Sequence, residues 1–398
     1  MKTKVILGIL MMVAPVLLLV TRPEPARAGN EAINTQFKVL APITHGSLTI
    51  FPVVAAKVHD TSDFITLDEG IRSGDVVVTE VGNMHAMVRR PMPNYRPGPQ
   101  VNTLVLVNNS KRPLILLAGE IVTGGKQDRI VGKDRIIAPE SDPVDLSVFC
   151  VEHGRWTETS DKFATIGHLM AQPSVRKQAM QEKDQQKVWA AVQEQNAGTT
   201  HSLRAMATPK PAVPYVGGGP VSRDVVPSSS ETVEVTAEAP QIDTAITQLS
   251  TTTSLAKVQA NDVVQSQIQS ITAPVDKSFE SVIKQLRDQN AVGVVVAVKG
   301  RIIWADIFAS KELLSKYWPK LLQSYAAEAF SAAGSQAEVN VKAAQEFVDN
   351  WNATHEVADS EPGLYRQTEL TGDRFRAFEL TSLLPKQFFD LHLSKMAE

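Results

Sequence analysis

The chain has 398 residues, 43% of them hydrophobic and 21% charged, and a formal net charge of −3. That length can bury a real core in one large domain or two smaller ones, and the acidic balance argues against a nucleic-acid binder, which needs a basic face. A single cysteine, Cys150, excludes an internal disulfide, and eight scattered histidines without zinc spacing predict neither a bound metal nor a cofactor.

Residues 1–28 read as a secretory signal peptide. Lys2 and Lys4 precede an apolar run from Val5 to Val20, and Ala26-Arg27-Ala28 places small residues two apart before Gly29. The run is short for a bilayer span of ~20 residues and Pro15 interrupts it, which favours cleavage over a retained anchor. The expected product is exported, periplasmic or extracellular, with no stable membrane span. Losing the leader leaves 36 Lys and Arg against 42 Asp and Glu, a formal charge of −6.

Residues 29–46 form an N-terminal lead-in, and 47–156 are β-rich. Leu48 to Val58 reads as a first strand, Thr66-Leu-Asp-Glu69 as a capping box for a short helix ended by Gly74, and Val76 to Val81 as a strand. Pro91, Pro93, Pro97 and Pro99 mark Met84 to Gln100 as a loop. Val101–Val107 and Leu114–Val122 suggest a hairpin turning at Asn108-Asn109-Ser110. Ile136-Ile137 and Leu146–Val151 close the series. Residues 161–196 carry helical spacing, as at Val188, Trp189 and Val192.

Residues 198–255 are rich in Ser, Thr, Pro and Gly and read as a disordered insert, because such a stretch buries too little apolar surface to offset its ordering entropy. A helix from about Ala256 then leads to strands Val292–Lys299 and Ile302–Ile307. Ser310 caps a helix from Lys311 to Ala332, another helix spans about Ala337–Thr354, and a hairpin covers 364–381. The fold class expected is α+β. An antiparallel β-sandwich or barrel-like layer packs with long helices, so that 47–197 and 256–398 are two halves of one domain split by the insert.

Two polar segments stand out. In Gly119-Glu-Ile-Val-Thr-Gly-Gly-Lys-Gln-Asp-Arg129, backbone N–H groups of a Gly turn can form an anion-binding concavity, with charge from Lys126 and Arg129 and amide reading by Gln127. The competing reading is a plain β-turn in which Glu120 pairs with Lys126 or Arg129. In Cys150-Val-Glu-His-Gly-Arg-Trp156, strand alternation puts Cys150 and Glu152 on one face. With His153 and Arg155 beyond, Cys150 could serve as a nucleophile; alternatively it is an inert buried thiol. Arg155 and Trp156 could stack at a pocket rim.

These segments, with Gly293-Val-Val-Val-Ala-Val-Lys-Gly-Arg-Ile-Ile-Trp304, resemble the ARG and Rhodanese-Phosphatase-superfamily-associated Protein domain, a domain of unknown function. The resemblance supports a site from Glu120, Lys126, Gln127, Arg129, Glu152, Arg155 and Trp156 but names no reaction. A second resemblance lies in the insert. Glu231, Thr232, Val233, Glu234, Val235, Thr236 and Ala237 look like a TonB box, which binds its partner by adding a strand. Three expectations follow: a binding module for a small anionic or polar ligand, a hydrolase or transferase using the same cluster with Cys150, or an envelope interaction protein with a TonB-like partner.

Overall fold

A computed structural model describes residues 37–80, 103–154, 160–207 and 239–398. Strand Leu48–Ala55 is buried at every position, which requires cover on both faces and neighbours on both sides. It sits inside a large antiparallel sheet between Lys38–Val39 and Asn290–Val298, and also pairs with Ile43–His45. The sheet continues through Arg301–Phe308, Gln387–Ala397, Phe375–Leu384, Tyr365–Gly372 and Ala353–Glu361. The expected hairpin at 364–381 is thus the middle of a longer meander. Thr49, Phe51 and Val53 alternate with Leu48, Ile50 and Val54. Ile50 and Val54 pack with Leu314, Tyr317 and Leu321 of helix Lys311–Ser331. Phe51 and Val53 pack with Ala344 and Val348 of helix Val341–Asp349 on the opposite face.

A second sheet of six strands runs in the order Ala164–Met170, Glu120–Thr123, Arg129–Val131, Val144–Cys150, Thr103–Asn108 and Val76–Glu80. It curls until its ends meet at the antiparallel bridge Thr79–Lys162, where the Phe163 N–H donates to Val78 O at 2.9 Å. Val78, Leu106, Val122, Val148 and Phe163 fill this barrel. Outside it, Ile121, Ile130 and Val151 pack on Val175, Val188 and Val192 of helices Pro173–Lys177 and Gln185–Ala207. A small sheet of Arg135–Ile137, Leu114–Leu116 and Ile65–Thr66 joins the two; its last pair is parallel. Residues 36–398 form one compact unit.

Several expectations give way. The hairpin at Asn108-Asn109-Ser110 does not form: Thr103–Asn108 pairs with the strands at 76–80 and 144–150. Asn108 Nδ2 holds Arg112 O at 2.8 Å and Ala138 O at 3.0 Å, which turns the chain away toward the small sheet. Leu114–Val122 is split by Gly119, whose φ of +98° is a left-handed bend. Residues 164–170 form a strand where helix was expected. The insert read as 198–255 is too wide, because helix Gln185–Ala207 runs through its start and helix Ala239–Leu249 occupies its end. Leu203, Ile242, Ala245 and Leu249 bury their side chains, so these polar-looking stretches do have apolar partners. The capping box at Thr66 and Glu69 and the Gly74 stop form as expected.

Candidate functional site

The sequence segments meet at one end of the barrel. The Gly124-Gly125 turn, with φ of +135° and +48°, brings the chain back so that Val122 pairs with Arg129 and Arg129 with Cys150. Residues paired across neighbouring strands share a face, so Arg129 and Cys150 lie on the side of Val122, toward the barrel interior. Arg129 is nearly inaccessible, and its Nη1 donates to Gln127 Oε1 and to Asp128 O, both at 3.4 Å. Gln127 is fully buried and its Nε2 has no hydrogen-bond partner among the described residues. Glu80 accepts the Lys126 N–H at 2.9 Å and faces the half-exposed Lys126 Nζ at 3.4 Å.

Cys150 is buried at the end of its strand. Gln185 brackets it, Oε1 accepting the Cys150 N–H at 2.8 Å and Nε2 donating to Cys150 O at 2.9 Å, so a helix side chain continues the ladder. Burial pushes the thiol up, the Arg129 guanidinium lowers it in part, and the Glu80 carboxylate raises it again. That environment disfavours a thiolate at neutral pH.

Glu120 does not join this group. Gly119 turns it inward, where its Oε1 accepts from Lys320 Nζ at 2.8 Å and its Oε2 from the Leu117 N–H at 2.8 Å. Lys320 also contacts Asp68, so two carboxylates from different elements share one buried ammonium. Burial raises the Glu120 carboxyl, while Lys320 opposes it. Beside this triad lies a second buried group that the sequence reading missed. Arg176 Nη1 and Nη2 clamp Asp306 at 2.9 and 3.1 Å. His392 bridges Asp134 at 2.6 Å and Asp306 at 3.1 Å, and Tyr325 and Ser394 donate to Asp306. These residues are fully enclosed. Their chemistry is that of a clasp joining the two halves of the chain.

Glu152 points elsewhere again, to Lys257 Nζ at 2.9 Å, and its backbone bridges to Ser254. Of the sequence-predicted residues, then, Lys126, Gln127, Arg129 and Cys150 are brought together, while Glu120 and Glu152 are held in separate ion pairs. Arg155, Trp156 and the Glu231–Ala237 segment lie outside the described residues. Among the described residues no group of three or more His, Cys, Asp or Glu is placed to hold a metal ion, and no helix is long and apolar enough to cross a membrane.

The sequence model of the ARG and Rhodanese-Phosphatase-superfamily-associated Protein domain matches residues 36–394, nearly the whole chain. No curated protein and no solved structure matches it. The chain belongs to that domain family.

Proposed function

We propose that this family member is an exported binding module that takes a small polar or anionic ligand at the Gln127–Arg129 end of its barrel. The observation that carries the reading is the Gln127 amide: fully buried, with Nε2 unpartnered among the described residues. A buried donor without an acceptor is unfavourable, and native proteins keep few of them. An incoming carboxylate, phosphate or carbonyl oxygen would supply the acceptor, next to the guanidinium of Arg129. Lys126, half exposed at the rim, adds positive charge along the approach.

Export rests on the sequence of residues 1–28, with its basic start, apolar run and Ala26-Arg27-Ala28. A thiol-dependent hydrolase is the weaker reading, since Cys150 is buried and its thiol is pushed up.

Thermal melts with phosphate and succinate test the site. Wild type should gain stability with increasing probe, by about 2.7 kcal/mol at a hundredfold excess over Kd. Gln127→Leu, which also removes the long contact to Arg129, should still fold without probe and lose most of that gain. Equal gains in both proteins, or none in wild type, refute the site. Export is tested by N-terminal sequencing of protein recovered outside the cytoplasm. A chain beginning at Gly29 is expected, and one retaining Met1 in the cytoplasm refutes it.

A further inference from the structure

A cleft of about 320 Å³ opens on the outer face of the barrel, where it meets the C-terminal sheet. It is separate from the barrel end described above. Gly132, Ser147 and Phe149 form the barrel wall, Ala179, Met180 and Lys183 the helical wall, and Ala358, Gln367 and Phe378 the sheet wall. Its size is at the low end for small-molecule sites.

Two of the three walls are irregular at the cleft. Pro173–Lys177 continues into a π-helical turn, Gln178–Glu182, that ends on Lys183 with φ of +53°. Such turns are rare and cluster at functional positions. On the sheet, the register slips between Val357 and Asp359, which leaves Ala358 as the extra residue of a bulge at the cleft edge. Both irregularities border the cleft, at Lys183 and at Ala358.

The lining is mostly apolar, with Lys133, Ser147, Lys183 and Gln367 as its polar members. Phe149, Met180 and Phe378 present hydrocarbon surface, and Gln367 lies among them, 3% exposed, with no side-chain hydrogen bond to another of the described residues. The amide is reached from the cleft, so a polar group of a bound molecule can pair with it. At the rim, Lys183 Nζ sits 3.4 Å from Glu369, but Arg376 Nη1 already holds that carboxylate at 2.9 Å. Lys183 is therefore spare: it can swing to a bound anion without leaving Glu369 bare. Lys133 is committed to Asp359 at 2.6 Å.

We infer that this cleft is a binding site for a small amphipathic monocarboxylate. The aromatic or branched hydrocarbon body packs on Phe149, Met180 and Phe378, one carboxylate oxygen accepts from Gln367 Nε2, and Lys183 closes over the charge.

The test uses 3-phenylpropionate and its neutral counterpart 3-phenylpropanol, titrated calorimetrically into the full chain, with the Met180 methyl NMR signal reporting the location. Wild type should bind the acid saturably and shift the Met180 signal. Ala358→Trp should block the mouth and Gln367→Leu should remove the donor, each weakening the acid by ~10-fold or more. Gln367→Leu should melt no lower than wild type, which separates lost binding from lost folding. Lys183→Gln should weaken the acid but not the alcohol. No saturable binding by wild type up to roughly 10 mM acid, or undiminished binding in Gln367→Leu, overturns the proposal.

Discussion

His392 is fully buried between Asp134 and Asp306. Burial by itself would lower its imidazole, but the two carboxylates outweigh that and raise it to about 9. The folded state therefore holds a proton that the unfolded state releases near 6.5. The stabilisation is complete below about pH 6.5 and is lost as pH rises through 9. Glu379 acts in the same sense. Burial, and then the neighbouring Asp390 carboxylate, raise it to about 8. Deprotonation on the alkaline side charges a buried group that already faces an anion. Burial lowers Lys395 to about 7, which works in the opposite direction, so comparison with a variant isolates each group. Glu379→Gln should match wild type near pH 5 and exceed it at pH 9 by up to about 3 kcal/mol, read by denaturant melts at both values. Equal stability at pH 9 would show that Glu379 is not protonated in the fold. Asp306→Asn leaves Arg176 and His392 facing a neutral partner and should cost about 3–5 kcal/mol in the same melts. The sequence offered Glu120 as a site residue, yet its partners, Lys320 and Asp68, lie far along the chain and nothing local announces them. Asp306 and His392 were hidden for the same reason, lying in strands whose pairing only the sheet supplies.

At the scale of elements, legibility followed local chemistry. The Thr66–Glu69 capping box, the Gly74 stop and the Ser310 cap depend on residues within a few positions, and all three form. The hairpin at Asn108 failed because strand pairing is long-range, and the stretch at 198–207 failed because Gly198-Thr-Thr200 reads as a breaker. Gly198 has a packing reason to be there. A Cβ at that position would lie 2.5 Å from the backbone oxygen of Ser331, on the crossing helix Lys311–Ser331. Thr199 and Thr200 are also buried at this crossing, and Ser202 Oγ donates to Phe330 O at 2.6 Å. In an exposed helix, Gly→Ala adds about 1 kcal/mol of stability. Here Gly198→Ala should instead destabilise by about 1–3 kcal/mol, because the backbone of a packed helix must move. A higher melting temperature in Gly198→Ala would mean that the helices do not cross at this distance.

The whole molecule interleaves its two halves. Strand Leu48–Ala55 comes from the first half, yet its neighbour Asn290–Val298 comes from the second. Arg176 reaches Asp306, Lys320 reaches Glu120, and Glu152 reaches Lys257, so each polar clasp joins one half to the other. The sequence anticipated a shared core from the expected joining of the 292–307 hairpin to the first half. It could not show that the β-rich half would surrender a strand to the other sheet, since a fully buried strand carries no periodicity to say which sheet covers it. The residues between Ala207 and Ala239 connect helices Gln185–Ala207 and Ala239–Leu249, which pack on each other. The connection therefore closes on a contact that exists without it. A specific protease site placed within 208–238 and cut should leave two fragments that elute together in buffer, held by the shared sheet and the buried clasps, and that part only in denaturant. The cut chain should also melt in one transition, because neither half can cover Leu48–Ala55 alone. Fragments that separate in buffer, or two independent melts, would show that the halves fold on their own.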